Sequence, residues 1–336
     1  MDLSTPYMGL ELRNPLVASS SPLSHTLDGV RRLADGGVGA IVLFSLFEEQ
    51  LREQAVRASE LLEDSSDSSA EAHGYLPAIV SQDVGPRRYL DLLERAVRAV
   101  DVPVIASLNA TTPEGFMELA RATQDAGAAA VELNISHLPG DPETTGRDIE
   151  EHHYEIVRRV KRAVTVPVAV KLSPYFSALD EVASGIDAAG ADTLVLFSRL
   201  QAPEIDIDRL TVVPRVTLTG PSDARLPRAW IALLHGRVAA SLAASGGVEA
   251  PADVVGHLLA GADVVMSASA LLRYGPGYAG IMLEGLRSWM RAKGFSTLEQ
   301  MRGLLAASEP AGRSARGRAG YVTALRAGNV GAYSPW

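Results

Sequence analysis

Short apolar runs recur along the chain and alternate with amphipathic segments. Each run is mostly apolar rather than alternating, which is the pattern of a parallel strand buried on both faces. Four runs follow a glycine, and two contain a Val-Pro pair. In chain order the eight runs begin at Asn14, Gly36, Asp101, Gly127, Thr165, Gly190, Val238 and Gly261.

The segments between the runs carry the start and stop signals of helices. Thr112 is placed to cap a helix that has Pro113 at its first position and Gly127 just past its end. The same signals predict two more helices, from Pro251 to Gly261 and from Ser177 to Gly190.

Eight cycles of strand and helix predict an α/β fold, a closed (β/α)₈ TIM barrel. An open doubly wound sheet is the alternative, but no GxGxxG motif follows the first strand. We expect a single barrel over residues 1–311.

Two segments depart from the repeat. Residues 58–75 include an acidic, serine-rich stretch after the second strand, and we expect a lid-like loop there, with a surface loop of no role as the alternative. Residues 312–336 form a locally basic C-terminal tail, which we expect to dock on the barrel or on a neighbouring subunit, with disorder as the alternative.

Composition excludes several classes of protein. The 336 residues contain no Cys, so disulfides, thiolate metal sites, iron–sulfur clusters and thiol nucleophiles are excluded. A net charge of −9 argues against a nucleic-acid partner. The N-terminus does not resemble a signal peptide, and no run of 18 apolar residues exists, so we expect a cytoplasmic protein without a membrane partner.

Reactive groups in TIM barrels stand at the C-terminal ends of the strands and on the following loops. This rule selects a set of small, polar or charged residues as candidates for ligand binding. They are Ser19, Ser20, Ser45, Asn134, Lys171, Ser198, Ser245, Gly246, Gly247, Ala268 and Ser269.

The last two strand ends predict a phosphate site. The Gly246-Gly247 pair lets backbone N–H groups approach an anion, and Ala268 and Ser269 lead into a helical turn that supplies more of them. Two tight turns without a ligand are the alternative.

Lys171 ends an apolar strand, so its ammonium is expected to point into the barrel mouth. A buried lysine is costly unless an anion or strong acceptor meets it. We expect a cofactor or substrate that develops negative charge. A structural salt bridge is the alternative, although the same strand offers no acid.

Two further candidates lie in the sequence VELNISHLPGD. Asn134 offers both a donor and an acceptor to an amide-like edge. His137 has an intrinsic pKa near neutrality and could act as a general base, or it could simply face water. No histidine pair has metal-ligand spacing, and we predict no metal.

These motifs resemble the soluble branch of the dihydroorotate dehydrogenase family over nearly the whole chain. The resemblance is carried by VELNIS, VAVKLSPYF, ASGGV and HLLAGADVVMSASALL. It implies FMN at the barrel mouth and a homodimer. Ser19 and Ser20 would touch the flavin ring, Lys171 would favour the anionic reduced flavin, and Asn134 would contact flavin and substrate. Ser245, Gly246, Gly247, Ala268 and Ser269 would hold the phosphate.

The departures from the family pattern fall on the substrate side. The family's SCPN sequence is replaced by residues 136–139, Ser-His-Leu-Pro, so that His137 occupies the place of the base. Phe44 replaces the lysine after the second strand, and the family's lid asparagine has no clear match in residues 71–75. The paired asparagines after the sixth strand are replaced near residues 197–199.

Three functions follow as hypotheses. The first is an FMN-dependent oxidoreductase of pyrimidine biosynthesis that acts on a CH–CH bond of dihydroorotate, a related dihydropyrimidine or an enoate, with His137, Lys171 and Asn134 as catalytic residues. Its electrons would leave to an external acceptor or a partner oxidoreductase. The second is a flavin-bearing electron-transfer or regulatory partner without dihydroorotate activity. The third is a flavin-free, phosphate-binding aldolase or isomerase.

Overall fold

The computed structural model describes residues 1–49, 86–135, 143–198, 204–213 and 217–306. The predicted lid-like loop at 58–75, the candidate base His137 and the tail at 312–336 lie outside these ranges.

Eight parallel strands close into a barrel, in the order β11-β12-β3-β4-β5-β6-β7-β8. They correspond one to one to the eight apolar runs, which confirms the predicted (β/α)₈ TIM barrel and removes the open sheet as an alternative. The barrel strands are β3 (Leu16–Ala18), β4 (Ala40–Phe47), β5 (Val104–Asn109), β6 (Ala130–Asn134), β7 (Val168–Leu172), β8 (Thr193–Leu196), β11 (Ser241–Ser245) and β12 (Val264–Ser267).

Helices cover the outside of the barrel and bury its outward-facing aliphatic side chains. Strands buried on both faces in this way explain the continuous apolar runs of the sequence. The helices are α1 (Leu27–Asp35), α2 (Pro86–Ala99), α3 (Pro113–Asp125), α4 (Gly146–Ala163), α5 (Leu179–Ala188), α6 (Arg225–Leu234), α7 (Pro251–Ala260), α8 (Ser269–Tyr274) and α9 (Tyr278–Lys293).

Most of the predicted helix boundaries hold. The Thr112 side chain accepts a hydrogen bond from the N–H of Gly115, and Gly127 and Gly261 follow their helices with positive φ. The prediction that Ser177 opens a helix was wrong, because α5 begins at Leu179 and its N-cap is Ala178, which has no side-chain acceptor.

A short antiparallel hairpin closes the N-terminal end of the barrel. Its strands are β1 (Thr5–Tyr7) and β2 (Leu10–Leu12), and Tyr7, Met8 and Leu12 pack with the inward-facing side chains of the barrel strands. The hydroxyl of Ser241, at the start of β11, accepts a hydrogen bond from the N–H of Met8. The sealed floor leaves the opposite end, where the strands finish, as the mouth.

The second hairpin projects beyond the barrel after β8. Its strands, β9 (Glu204–Asp206) and β10 (Thr211–Val213), pair only with each other among the described residues. Four aliphatic side chains of this hairpin are 63–89% exposed: Ile205, Ile207, Leu210 and Val212.

Within the described ranges, none of the helices combines the length and apolar character that crossing a bilayer requires.

A buried histidine makes stability depend on pH. His257 lies inside α7, and burial, reinforced by the charge of Arg228, lowers its pKa from 6.5 to about 3. Between these two pH values the unfolded chain binds a proton that the folded chain does not. The free energy of unfolding is therefore expected to fall as the pH drops from 6.5 toward 3, by up to about 1.4 kcal/mol per pH unit.

We predict that His257→Leu removes the part of this pH dependence that arises from the buried imidazole. Urea unfolding between pH 7 and pH 4 should show a shallower loss of stability in the variant than in the parent. Identical pH slopes in the two proteins would contradict the assignment.

Candidate active site at the barrel mouth

A cavity of about 550 Å³ opens at the C-terminal ends of the barrel strands. This volume lies in the range of small-molecule sites. The cavity brings together all eleven residues that the sequence selected as ligand-binding candidates: Ser19, Ser20, Ser45, Asn134, Lys171, Ser198, Ser245, Gly246, Gly247, Ala268 and Ser269.

Lys171 reaches the cavity from the barrel interior, and its side chain is 12% exposed. Its Nζ lies 3.4 Å from Ser19 Oγ and 3.4 Å from Glu132 Oε1. Glu132, on the neighbouring strand β6, is 1% exposed and does not line the cavity. The structural salt bridge that the sequence left open is therefore present, and its acid comes from another strand.

Glu132 was missed because pairing across strands depends on register. Residues 132 and 134 share one face of β6, and Asn134 lies directly beside Lys171 in the β6–β7 pairing. The signal that could have found Glu132 is an acid within an otherwise apolar strand, two positions before a polar strand end.

Asn134 offers an unused acceptor at the cavity. Its Oδ1 is buried and has no hydrogen-bond partner among the described residues. A buried amide oxygen without a partner is costly. Since Asn134 lines the cavity beside the Lys171 ammonium, a ligand N–H would satisfy it.

Three serine hydroxyls form a chain along one wall. Ser20 Oγ lies 3.3 Å from Ser45 Oγ, which lies 2.8 Å from Ser107 Oγ. A register shift between Val42 and Ser45 accompanies this arrangement, and β4 continues to Phe47. The chain presents Ser20 and Ser45 to the cavity, and Ser107 is buried behind them.

Aromatic rings line the wall next to the serines. The rings of His25 and Phe44 meet edge-on at 4.4 Å, and Phe44 packs against Tyr89 at 5.0 Å. Phe47 and Phe197 also line the cavity. This part of the mouth accordingly offers faces for a planar ring and few hydrogen-bond donors.

The glycine turn after β11 leaves room for a ligand. Gly246 and Gly247 have φ of +98° and +71°, and a Cβ on Gly246 would meet no atom of the described part of the chain within 4 Å. A Cβ on Gly247 would instead lie 2.2 Å from the backbone N of Ala224. Gly246 thus borders open space, while Gly247 allows the turn to pack closely.

A loop that the sequence did not identify folds over this turn. The N–H of Thr219 donates to Ser269 Oγ at 3.0 Å, and Thr219 Oγ1 lies 2.8 Å from the same oxygen. Thr217, Leu218 and Thr219 line the cavity. They follow the long connection after β8, where no periodicity marks their position.

The fold and the cavity define an α/β barrel with a small-molecule site at its mouth. The family model described as dihydroorotate dehydrogenase matches residues 2–290, so the chain belongs to the dihydroorotate dehydrogenase family. It is accordingly an oxidoreductase that acts on a CH–CH group.

Curated relatives align over most of their length. The chain is 29% identical over 311 residues to "Dihydroorotate dehydrogenase B (NAD(+)), catalytic subunit" of Methanothermobacter thermautotrophicus, covering 90% of this chain and 98% of the relative. It is also 29% identical over 307 residues to "Putative dihydroorotate dehydrogenase A (fumarate)" of Aeropyrum pernix, covering 90% and 97%.

The two glycines of the turn provide a matched pair of substitutions. Gly246→Ala should cost about 1–2 kcal/mol of stability, since only the left-handed backbone is strained. Gly247→Ala should cost about 1–3 kcal/mol more, because its Cβ also collides with the 220–224 turn. Denaturant unfolding of the two variants measures the difference, and equal losses would contradict this packing.

Proposed function

We propose that this protein binds FMN at the barrel mouth and oxidises a CH–CH bond of dihydroorotate or a related dihydropyrimidine or enoate. The observation that carries the proposal is a cavity that brings together the Gly246-Gly247 turn, the Lys171 ammonium and an Asn134 oxygen that has no partner among the described residues. These groups match a ligand that has a phosphate, a ring that takes up negative charge, and an N–H edge.

The residues fit the two ends of FMN. Backbone N–H groups at 246–247 and 268–269, with the Ser245 and Ser269 side chains, would hold the phosphate. The open space beside Gly246 supports this assignment. Ser19, Ser20, Ser45, Ser198, Asn134 and Lys171 would surround the ring.

FMN, when bound, would accept the hydride from the substrate carbon. Lys171 would hold positive charge beside the pyrimidine end of the ring, and Asn134 would orient flavin and substrate through its amide. His137 would remove the proton from the adjacent substrate carbon. The aromatic wall around Phe44 would stack on the substrate ring and exclude water.

The electron acceptor is proposed to be an external molecule or a partner oxidoreductase. The names of the relatives include NAD(+) and fumarate as acceptors, and one of them is termed a catalytic subunit. The absence of Cys means that no iron–sulfur cluster bound by this chain relays the electrons.

The flavin and substrate proposals are tested together by absorbance. The purified protein, or the protein given FMN, should show a flavin spectrum that dihydroorotate bleaches under anaerobic conditions. A colourless protein that takes up no FMN, yet is trapped by borohydride with a carbonyl substrate, would support the flavin-free aldolase instead. A bound flavin that no dihydropyrimidine or enoate reduces would favour the electron-transfer alternative.

His137→Ala should slow flavin reduction by about 10²–10⁴-fold while FMN binding is retained, because only proton removal is lost. Anaerobic stopped-flow absorbance gives the rate. The matched control is His152→Ala, on α4 and outside the cavity lining, which should reduce the flavin at the parent rate. An unchanged rate in His137→Ala would exclude it as the base.

We also propose a homodimer in the cytoplasm. The exposed aliphatic side chains of the β9–β10 hairpin support a protein contact, because an isolated two-stranded hairpin is marginally stable and exposed apolar patches mark interfaces. Light scattering should give twice the 35.5 kDa chain mass.

The double variant Ile207→Glu/Leu210→Glu should shift the mass to that of one chain, since charged side chains would be buried at the contact. Ile281→Glu is the matched control, because Ile281 is 59% exposed on α9. A dimer that persists in the double variant would place the interface elsewhere.

A further inference from the structure

We infer that Glu132 is a positioning residue for Lys171, and that its charge limits the positive field that the ammonium exerts on the bound ring. This inference rests on the proposed FMN site. Glu132 does not line the cavity, so it would act on the ring through Lys171 rather than by contact.

The ammonium of Lys171 is held in a restricted position. Lys171 Nζ has two partners among the described residues, the Ser19 hydroxyl and Glu132 Oε1, both at 3.4 Å. Ser19 is neutral, so Glu132 supplies the charged contact. A lysine side chain has four rotatable bonds and requires such an anchor to hold one position at a cavity wall.

The carboxylate of Glu132 is enclosed by the protein. Glu132 is 1% exposed, and its Oε2 has no hydrogen-bond partner among the described residues. Its charge contributes to raising the pKa of Tyr7, for which burial is the main cause, and Tyr7 belongs to the apolar cluster at the barrel floor. Solvent therefore screens this charge poorly.

The buried Glu132–Lys171 pair has an energetic cost of its own. A buried ion pair is often no more stabilising than apolar residues of similar volume. An acid buried behind a lysine that already reaches a ligand cavity is consistent with a role in setting the electrostatic field at the bound ring. With Glu132 in place, the ring would meet an ion pair; without its charge, the ring would meet an uncompensated cation.

The main test is Glu132→Gln, which keeps the shape and removes the charge. In the FMN-loaded protein we expect the equilibrium between reduced and oxidised flavin to shift at least tenfold toward the reduced form, which is about 30 mV for a two-electron couple. Glu132→Asp should stay within about threefold of the parent, because it retains the charge. Glu118→Gln, at an exposed position on α3, is the control. A shift below twofold in Glu132→Gln would overturn the inference.

A double variant tests the same inference if Glu132→Gln fails to fold. Lys171→Gln/Glu132→Gln removes both charges, which a folded barrel tolerates better than one unpaired charge. If Glu132 compensates the ammonium, the double variant should stay within about threefold of the parent in the equilibrium between reduced and oxidised flavin, because the two opposite charges are lost together. A shift of tenfold or more toward the oxidised form would show that the ring meets the ammonium without this compensation, and would overturn the inference.

A measurement on the apoprotein separates this inference from the proposed cofactor. The chain has only three lysines, Lys161, Lys171 and Lys293. Mass spectrometry after brief treatment with an amine-acylating reagent gives the modification rate of Lys171 relative to exposed Lys293. We expect this ratio to rise at least threefold in Glu132→Gln. An unchanged ratio would refute positioning, whereas failure of the parent to bind FMN would refute the proposed function alone.

Discussion

The interaction on which the site depends is the ion pair between Glu132 and Lys171, two charges placed inside an apolar barrel. Leaving either charge unpaired would cost several kcal/mol. Their 3.4 Å approach requires β6 and β7 to pair in one register, in which Asn134 lies beside Lys171. A slip of one residue would turn these side chains outward into the helices. The ion pair therefore depends on the register of β6 and β7, and it favours that register over a shifted one.

Along the barrel axis, the residues that stabilise the fold lie at the floor, and the residues of the candidate site lie at the mouth. At the floor, the β1–β2 hairpin seals the interior with Tyr7, Met8 and Leu12, and the inward-facing residues there are aliphatic apart from Thr193 and Ser241. Toward the mouth the inward-facing positions become Ser107, Glu132, Asn134, Lys171 and Ser245. Most strands contribute residues both near the floor and near the mouth. The packing of a strand's buried first half therefore positions the polar residues of its second half.

The strands and most helix boundaries followed from the sequence, since burial on both faces and helix capping leave local patterns. The eleven ligand-binding candidates converged because all strands of a parallel barrel end at one rim. Glu132 and Thr219 could not be found in this way. Glu132 meets its partner through inter-strand register, and Thr219 reaches the cavity through an aperiodic connection. The two hairpins also escaped prediction, because strands of three residues are too short to show a period.

The chemistry of the wall bears on how narrowly the site selects its substrate. Strong discrimination among small molecules arises where buried donors and acceptors are left unpaired by the wrong ligand. In the described part of the mouth, His25, Phe44 and Phe47 present ring faces and edges, and Asn134 carries the unpaired buried amide oxygen. Stacking on such faces depends on the shape and planarity of a ring more than on its substituents. A site built in this way would accept a ring bearing one N–H edge, and would separate dihydroorotate from related dihydropyrimidines less sharply than a wall of several amides.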